Sequence, residues 1–180
     1  MPHDHSCHDP ACGCGHDHGA DPLGPRPPVA EAPRPWRPAE RLRTLAIGIF
    51  EREGQILCGP VHSDDGTIKG WRPLGGEITF GERAADALAR EIREDSGQEI
   101  TDIRPLGVLE YLFEHEGTPG HEIVFVLAAR FTNATLYDAD QLAFREGDSP
   151  EMTAKWVSLD KARAGRMQLF PDGLANLLGE

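Results

Sequence analysis

Residues 75–98 read GGEITFGERAADALAREIREDSGQ. From Glu82 to Ser96 there is no Pro or Gly, and Ala, Leu, Arg and Glu dominate. That composition predicts a helix from Glu82 to about Ser96. Ala85, Leu88 and Ile92 recur at helical spacing and give it an apolar stripe. Glu91, Glu94 and Asp95 lie three and four residues apart, so their carboxylates emerge on a common face. Acids clustered in this way repel one another unless a cation sits between them. Mg²⁺ and Mn²⁺ are hard ions that take such oxygen ligands and also bind phosphate. Arg90 can hold a neighbouring carboxylate through two parallel bonds. Gly75-Gly76 lets the chain bend before the helix, and Gly97 closes it. Taken without their neighbours, the three acids also read as an ordinary solvated helix face.

Five residues separate Gly76 from Glu82, and seven separate Glu82 from Arg90-Glu91. The whole pattern is G-x5-E-x7-R-E-U-x-E-D-x-G, with U aliphatic. It resembles the signature box of the Nudix hydrolases. Asp95 stands where that box usually has Glu, and Gln98 stands where it has an aliphatic residue. The resemblance implies an α/β fold, an α/β/α sandwich with a mixed sheet carrying the box as loop–helix–loop. It also implies a metal-dependent hydrolase that cleaves the diphosphate linkage of a nucleoside diphosphate joined to another group. By motif position Glu91, Glu94 and Asp95 would hold Mg²⁺ or Mn²⁺, and Arg90 would orient a box glutamate. Glu82 would support the loop or the outer metal shell, and Gly76 would bring its backbone near the metal. Family members often use a further acid from outside the box. Glu151 is the first choice for it because it shortly precedes Trp156, with Glu146 and Glu122 as alternatives. The implied partner is a small nucleotide substrate, and a homodimer is the implied assembly. Asp95 is one methylene shorter than Glu, which leaves open a nucleotide-binding module that does not turn its ligand over.

With 180 residues, 39% of them hydrophobic, the chain can build one domain plus an extension. The formal net charge of −12 argues against non-specific nucleic-acid binding, because phosphates would be repelled. No apolar run approaches a membrane span, and the polar, His-rich N-terminus lacks a secretory apolar core. Three of the four Cys crowd into residues 7–14, unlike a secreted disulfide framework. A cytoplasmic protein is the expectation.

Residues 1–38 differ from the rest and are expected to be a disordered tail, with the hydrolase-like domain at 39–180. Within the first nineteen residues His3, His5, Cys7, His8, Cys12, Cys14, His16 and His18 form alternating His-x-His and Cys-x-Cys spacings. Such ligands suit Zn²⁺, Ni²⁺, Co²⁺ or copper, so the tail reads as a soft-metal site, and a metal-handling role is a further alternative. Residues 20–38 are Pro-rich and read as an extended linker.

Strands are expected at Arg43–Glu51, Gln55–His62, Leu106–Glu114, His121–Phe131 and Lys155–Leu159. Gly117–Gly120 reads as the hairpin loop between the third and fourth of these. Asp160 is the expected cap of a short helix reaching Ala164. A last helix after Pro171 would turn Leu174, Leu177 and Leu178 inward. Residues 132–150 carry no clear pattern. Trp71, Tyr111, Phe113 and Phe125 are open to two readings, core packing or stacking on a base. His115 and His121 flank a loop and are candidates for touching phosphate. Cys58 reads as a small buried hydrophobe.

Overall fold

The computed structural model describes residues 35–179. Two sheets form the middle layer. The first joins β1 (Leu42–Ile49), β5 (Gly75–Glu77), β6 (Ile100–His115) and β7 (Thr118–Phe131) in the order β5-β1-β7-β6. It is mixed, because β1 runs parallel to β7 while β5 and β6 run antiparallel to their neighbours. The second sheet is antiparallel, with β2 (Glu51–Arg52), β3 (Gln55–His62), β9 (Met152–Ser158) and β8 (Gln141–Phe144) in that order. β4 (Ile68–Pro73) also pairs with β3.

Strand alternation gives the sheets two apolar faces. On one, Leu45, Ile47, Ile56, Cys58, Val124, Val126 and Val157 form a buried cluster. Leu169 and Leu174 join them from the C-terminal segment, which holds α2 (Leu159–Arg163) and α3 (Leu174–Leu177). On the other, Ala46, Leu57, Leu127, Phe131, Phe144 and Ala154 pack with α1 (Ala84–Ser96). Sheets between α1 and the short C-terminal helices make the α/β/α layering.

The observed elements differ from the sequence reading at several points. α1 starts at Ala84 instead of Glu82, because Glu82 is used in the preceding turn, where it accepts bonds from Thr79. Its buried residues are Ala87, Leu88 and Ile92, while Ala85 is only half-buried. Gly97 closes it at φ 68°, as a C-terminal glycine does. The β6–β7 turn falls at Glu116-Gly117, both at positive φ (50° and 76°), and the Thr118–Gly120 segment continues as strand. A two-residue hairpin turn of that hand matches the strand twist and favours Gly at its second position. Ser158, not Asp160, caps α2 by accepting from the Lys161 N–H, which leaves Asp160 in the first turn, where a negative charge suits the helix dipole. Residues 132–150 contain a 3₁₀ turn at Ala134–Tyr137 and the edge strand β8, too short to show a period. No helix among the described residues is long and apolar enough to cross a membrane.

Candidate active site

α1 and the bend before it assemble the acidic cluster around Arg90. Nε and Nη2 of Arg90 each reach one oxygen of Glu82 at 2.9 Å, a two-point grip. Nη1 donates to Glu91 Oε1 at 2.7 Å and to Glu94 Oε2 at 3.2 Å. Nη2 also donates to the Glu77 carbonyl at 3.0 Å, tying the helix to β5. One guanidinium thus orients three box glutamates. The Arg90 grip, followed by the Thr79 backbone and hydroxyl, holds the Glu82 carboxyl down at about 2.

That depression sets a pH dependence. The folded-state value lies below the ordinary 4.5, so the stability it contributes is fully present above that value and is lost as pH falls toward about 2. Thermal melts from pH 7 to 2.5 are expected to fall more steeply for the native protein than for Glu82→Gln. Parallel curves would remove Glu82 from the account.

Gly76 borders the same cluster. A Cβ there would stand 2.1 Å from Glu91 Oε2, so only Gly lets that carboxylate lie against the backbone of β5. The third acid, Asp95, is in another environment. Burial pushes its carboxyl up to about 7, and Glu146, Glu91 and Glu94 add to the shift, while Arg72 opposes it. Glu146 comes close because the Arg145 N–H bonds the Asp95 carbonyl at 2.9 Å, which anchors the loop after β8 to the end of α1. Arg72 Nη2 in turn holds Glu146 Oε1 at 3.0 Å.

The donor chemistry of this cluster, though not a closed set of ligands, is of the kind a divalent ion takes. The side chains are all carboxylates, the ligands of hard cations, and Asp95 is crowded by three further acids. Among the described residues, no three His, Cys, Asp or Glu groups form a ready-made metal-binding arrangement. Arg90 engages one oxygen each of Glu91 and Glu94.

Arg72 also connects the cluster to a small apolar pocket of about 80 Å³. Tyr111 and Phe113 line it with rings stacked at 4.7 Å, together with Phe170, His115 and Trp36. Glu122, 4% exposed, adds a carboxylate that burial pushes upward and Arg43 pairs at 3.0 Å. A larger depression of about 800 Å³ lies among Arg104, Arg130, Arg163, Glu51, Glu53 and Asp102. Arg72 lines only the smaller pocket and bonds Glu146, so the smaller pocket is the one joined to the cluster.

Of the sequence candidates, Glu82, Arg90, Glu91, Glu94 and Gly76 therefore meet in one place, with Asp95 beside Glu146. Glu151 is exposed ahead of β9 and makes none of the described hydrogen bonds or ion pairs. Tyr111, Phe113 and His115 line the pocket, whereas His121 pairs with Glu110 at 3.0 Å on the surface. Trp71 packs against the core cluster, and Phe125 is not part of the pocket. The tail ligands His3 to His18 lie outside the described residues. Arg72, Phe170 and Trp36 were missed. Arg72 and Phe170 sit next to prolines, outside the expected strands and helices, and Trp36 sits in the Pro-rich stretch.

A family model described as the NUDIX domain matches residues 39–177. The nucleoside triphosphatase NudI of Escherichia coli is 37% identical over 68 residues, 36% of this chain and 48% of that protein. The chain thus spans about half the length of these curated relatives. The oxidized purine nucleoside triphosphate hydrolase of Danio rerio is 23% identical over 125 residues, 69% of this chain and 72% of that one. Among solved structures, a NUDIX hydrolase from Nitrosomonas europaea superimposes with a TM-score of 0.55 at 19% identity, covering 77% of this chain and 87% of the other.

Proposed function

The chain belongs to the NUDIX domain family, and from that premise we propose that it is a divalent-metal-dependent hydrolase cleaving the diphosphate linkage of a nucleotide. The observation that carries this reading is the acidic cluster at α1, with Asp95 pushed up to about 7, joined through Arg72 to an aromatic pocket. Nucleoside triphosphates are the first substrate class to test, since both curated relatives are named for acting on them.

In the proposed reaction water attacks phosphorus, and the bridging P–O bond breaks with its electron pair staying on the leaving phosphate. A Mg²⁺ or Mn²⁺ ion, when bound, would neutralise charge that develops on the phosphate oxygens. Glu91, Glu94 and Asp95 would hold that ion. Arg90 keeps Glu91 and Glu94 in fixed orientation, and Gly76 leaves room for the Glu91 carboxylate. Glu146, an alternative to Glu151 in the sequence, would be the acid from outside the box and would accept the proton of the attacking water. Its support is the Arg72 bond to one oxygen and its closeness to Asp95. Tyr111, Phe113 and Phe170 would receive the base, with Arg72 next to the phosphates.

Gly76→Ala separates this account from a purely structural one. The added methyl meets the far end of a flexible side chain, so the fold survives and the Glu91 carboxylate moves. Activity is expected to fall by about a hundredfold, as misplacement by about 1 Å can produce, while the melting temperature stays within about 5 °C. Unchanged turnover would remove Glu91 from the metal set.

The reading itself is tested by incubating the protein with nucleoside di- and triphosphates, ADP-ribose, NADH, dinucleoside polyphosphates and sugar nucleotides, each in Mg²⁺ and in Mn²⁺. Metal-dependent release of a phosphorylated product from at least one compound is expected. Silence across the panel in both metals would overturn the proposal.

A further inference from the structure

The base pocket of the proposed site has one wall that does not come from the sandwich. Pro35–Ala39 precedes β1 without regular structure, yet Trp36 lines the pocket. Its indole meets the His115 ring edge-on, with centroids 5.1 Å apart and planes at 74°. The neighbouring Arg37 ties the segment down. Its Nη1 donates to Asp64 Oδ1 at 2.9 Å, its Nη2 to Asp64 Oδ2, and Nη1 also bonds the Trp36 carbonyl at 2.8 Å. Asp64 lies in the turn between β3 and β4.

Trp36 is 50% exposed despite this anchoring. The Arg37–Asp64 pair thus anchors the backbone beside a large aromatic ring that stays half uncovered at the pocket, available for stacking. Trp36 lines the same pocket as Tyr111, Phe113 and Phe170. A planar base is the occupant that such rings favour, because stacking needs a flat π-face and no fixed hydrogen-bond pattern.

We propose that Trp36, positioned by the Arg37–Asp64 pair, forms the fourth aromatic wall of the nucleobase pocket and is a determinant of nucleotide affinity. This rests on the pocket reading above and adds a residue from outside the strands and helices of the sandwich. Arg37 and Asp64 are positioning residues, whereas Trp36 touches the base.

Direct binding tests this without turnover. Nucleoside 5′-monophosphates with each of the four common bases are titrated into full-length protein by calorimetry, with inorganic pyrophosphate as a ligand lacking a base. Native protein is expected to bind at least one monophosphate. Trp36→Ala should weaken that binding by about five- to a hundredfold, the range of one lost stacking contact. Trp36→Phe should recover most of it, and Asp64→Ala should lie between. Pyrophosphate binding should stay within twofold in all variants. Binding unchanged in Trp36→Ala, equal weakening of pyrophosphate, or no monophosphate binding by the native protein would each overturn the proposal. Trp36-dependent binding without hydrolysis of any panel compound would instead overturn the hydrolase reading and leave this one standing. Hydrolysis without Trp36-dependent binding would do the reverse.

Discussion

Glu94→Gln is expected to lower kcat on the substrate that the panel identifies by about a thousandfold. Glu94 is 58% exposed and makes a single described contact, from Arg90 at 3.2 Å, so the amide is accommodated without loss of packing. What disappears is one negative donor from a set proposed to hold a divalent ion. Metal stabilisation of developing phosphate charge contributes several kcal/mol, and each ~1.4 kcal/mol is tenfold in rate. The fold should not suffer, because removing one of the acids that crowd Asp95 relieves repulsion. A melting temperature at or slightly above that of the native protein is expected alongside the loss of turnover. Activity within tenfold of native would show that Glu94 does not hold the catalytic ion.

The second large effect is expected from Arg90→Lys, a change that keeps the charge. Arg90 makes five described hydrogen bonds from a planar fork, to three glutamates and to the Glu77 carbonyl. A lysine ammonium is a point charge with three donors and cannot reproduce the two-point grip on Glu82. Glu91 and Glu94 would lose their fixed orientation, and losses of this outer support cost ten- to a hundredfold in metal sites. A drop in kcat/KM of about a hundredfold is the expected result. The Glu82 carboxyl, held down chiefly by this arginine, should return toward its ordinary value. The acid limb of the thermal melt would then flatten as in Glu82→Gln. Native-like turnover in the lysine variant would mean that charge alone suffices and that the fork has no part in the site.

The helix and its acids could be read from the sequence because every residue involved lies within one continuous stretch. Spacing there converts directly into a shared face. Glu151 and Glu146 show where this stops. Both lie in a run rich in Gly, Asp and Pro with no period, and the Arg145 bond to the Asp95 carbonyl, a contact across fifty residues, decides which one approaches the cluster. Helix propensity ran through Glu82, because intrinsic preference does not register that its carboxylate is taken by Thr79 and Arg90. Tyr111 and Phe113 stood out as aromatics in a strand, but the face they line is set by the pairing of β6 with β7. Trp36 was hidden by its surroundings. A Pro-rich stretch reads as linker, whereas the Arg37–Asp64 pair, across 27 positions, and the Trp36–His115 contact hold it on the domain.

The most direct measurement is Mn²⁺ binding to the full-length protein, followed by the electron paramagnetic resonance signal of the free ion, for native protein and Glu94→Gln side by side. The soft ligands of the tail are poor partners for Mn²⁺, so the signal reports on carboxylate sites. The account predicts that native protein depletes the free-ion signal and that Glu94→Gln weakens this binding at least tenfold. Superimposable titrations, or no depletion by native protein even with a nucleotide present, would contradict the placing of the metal at α1.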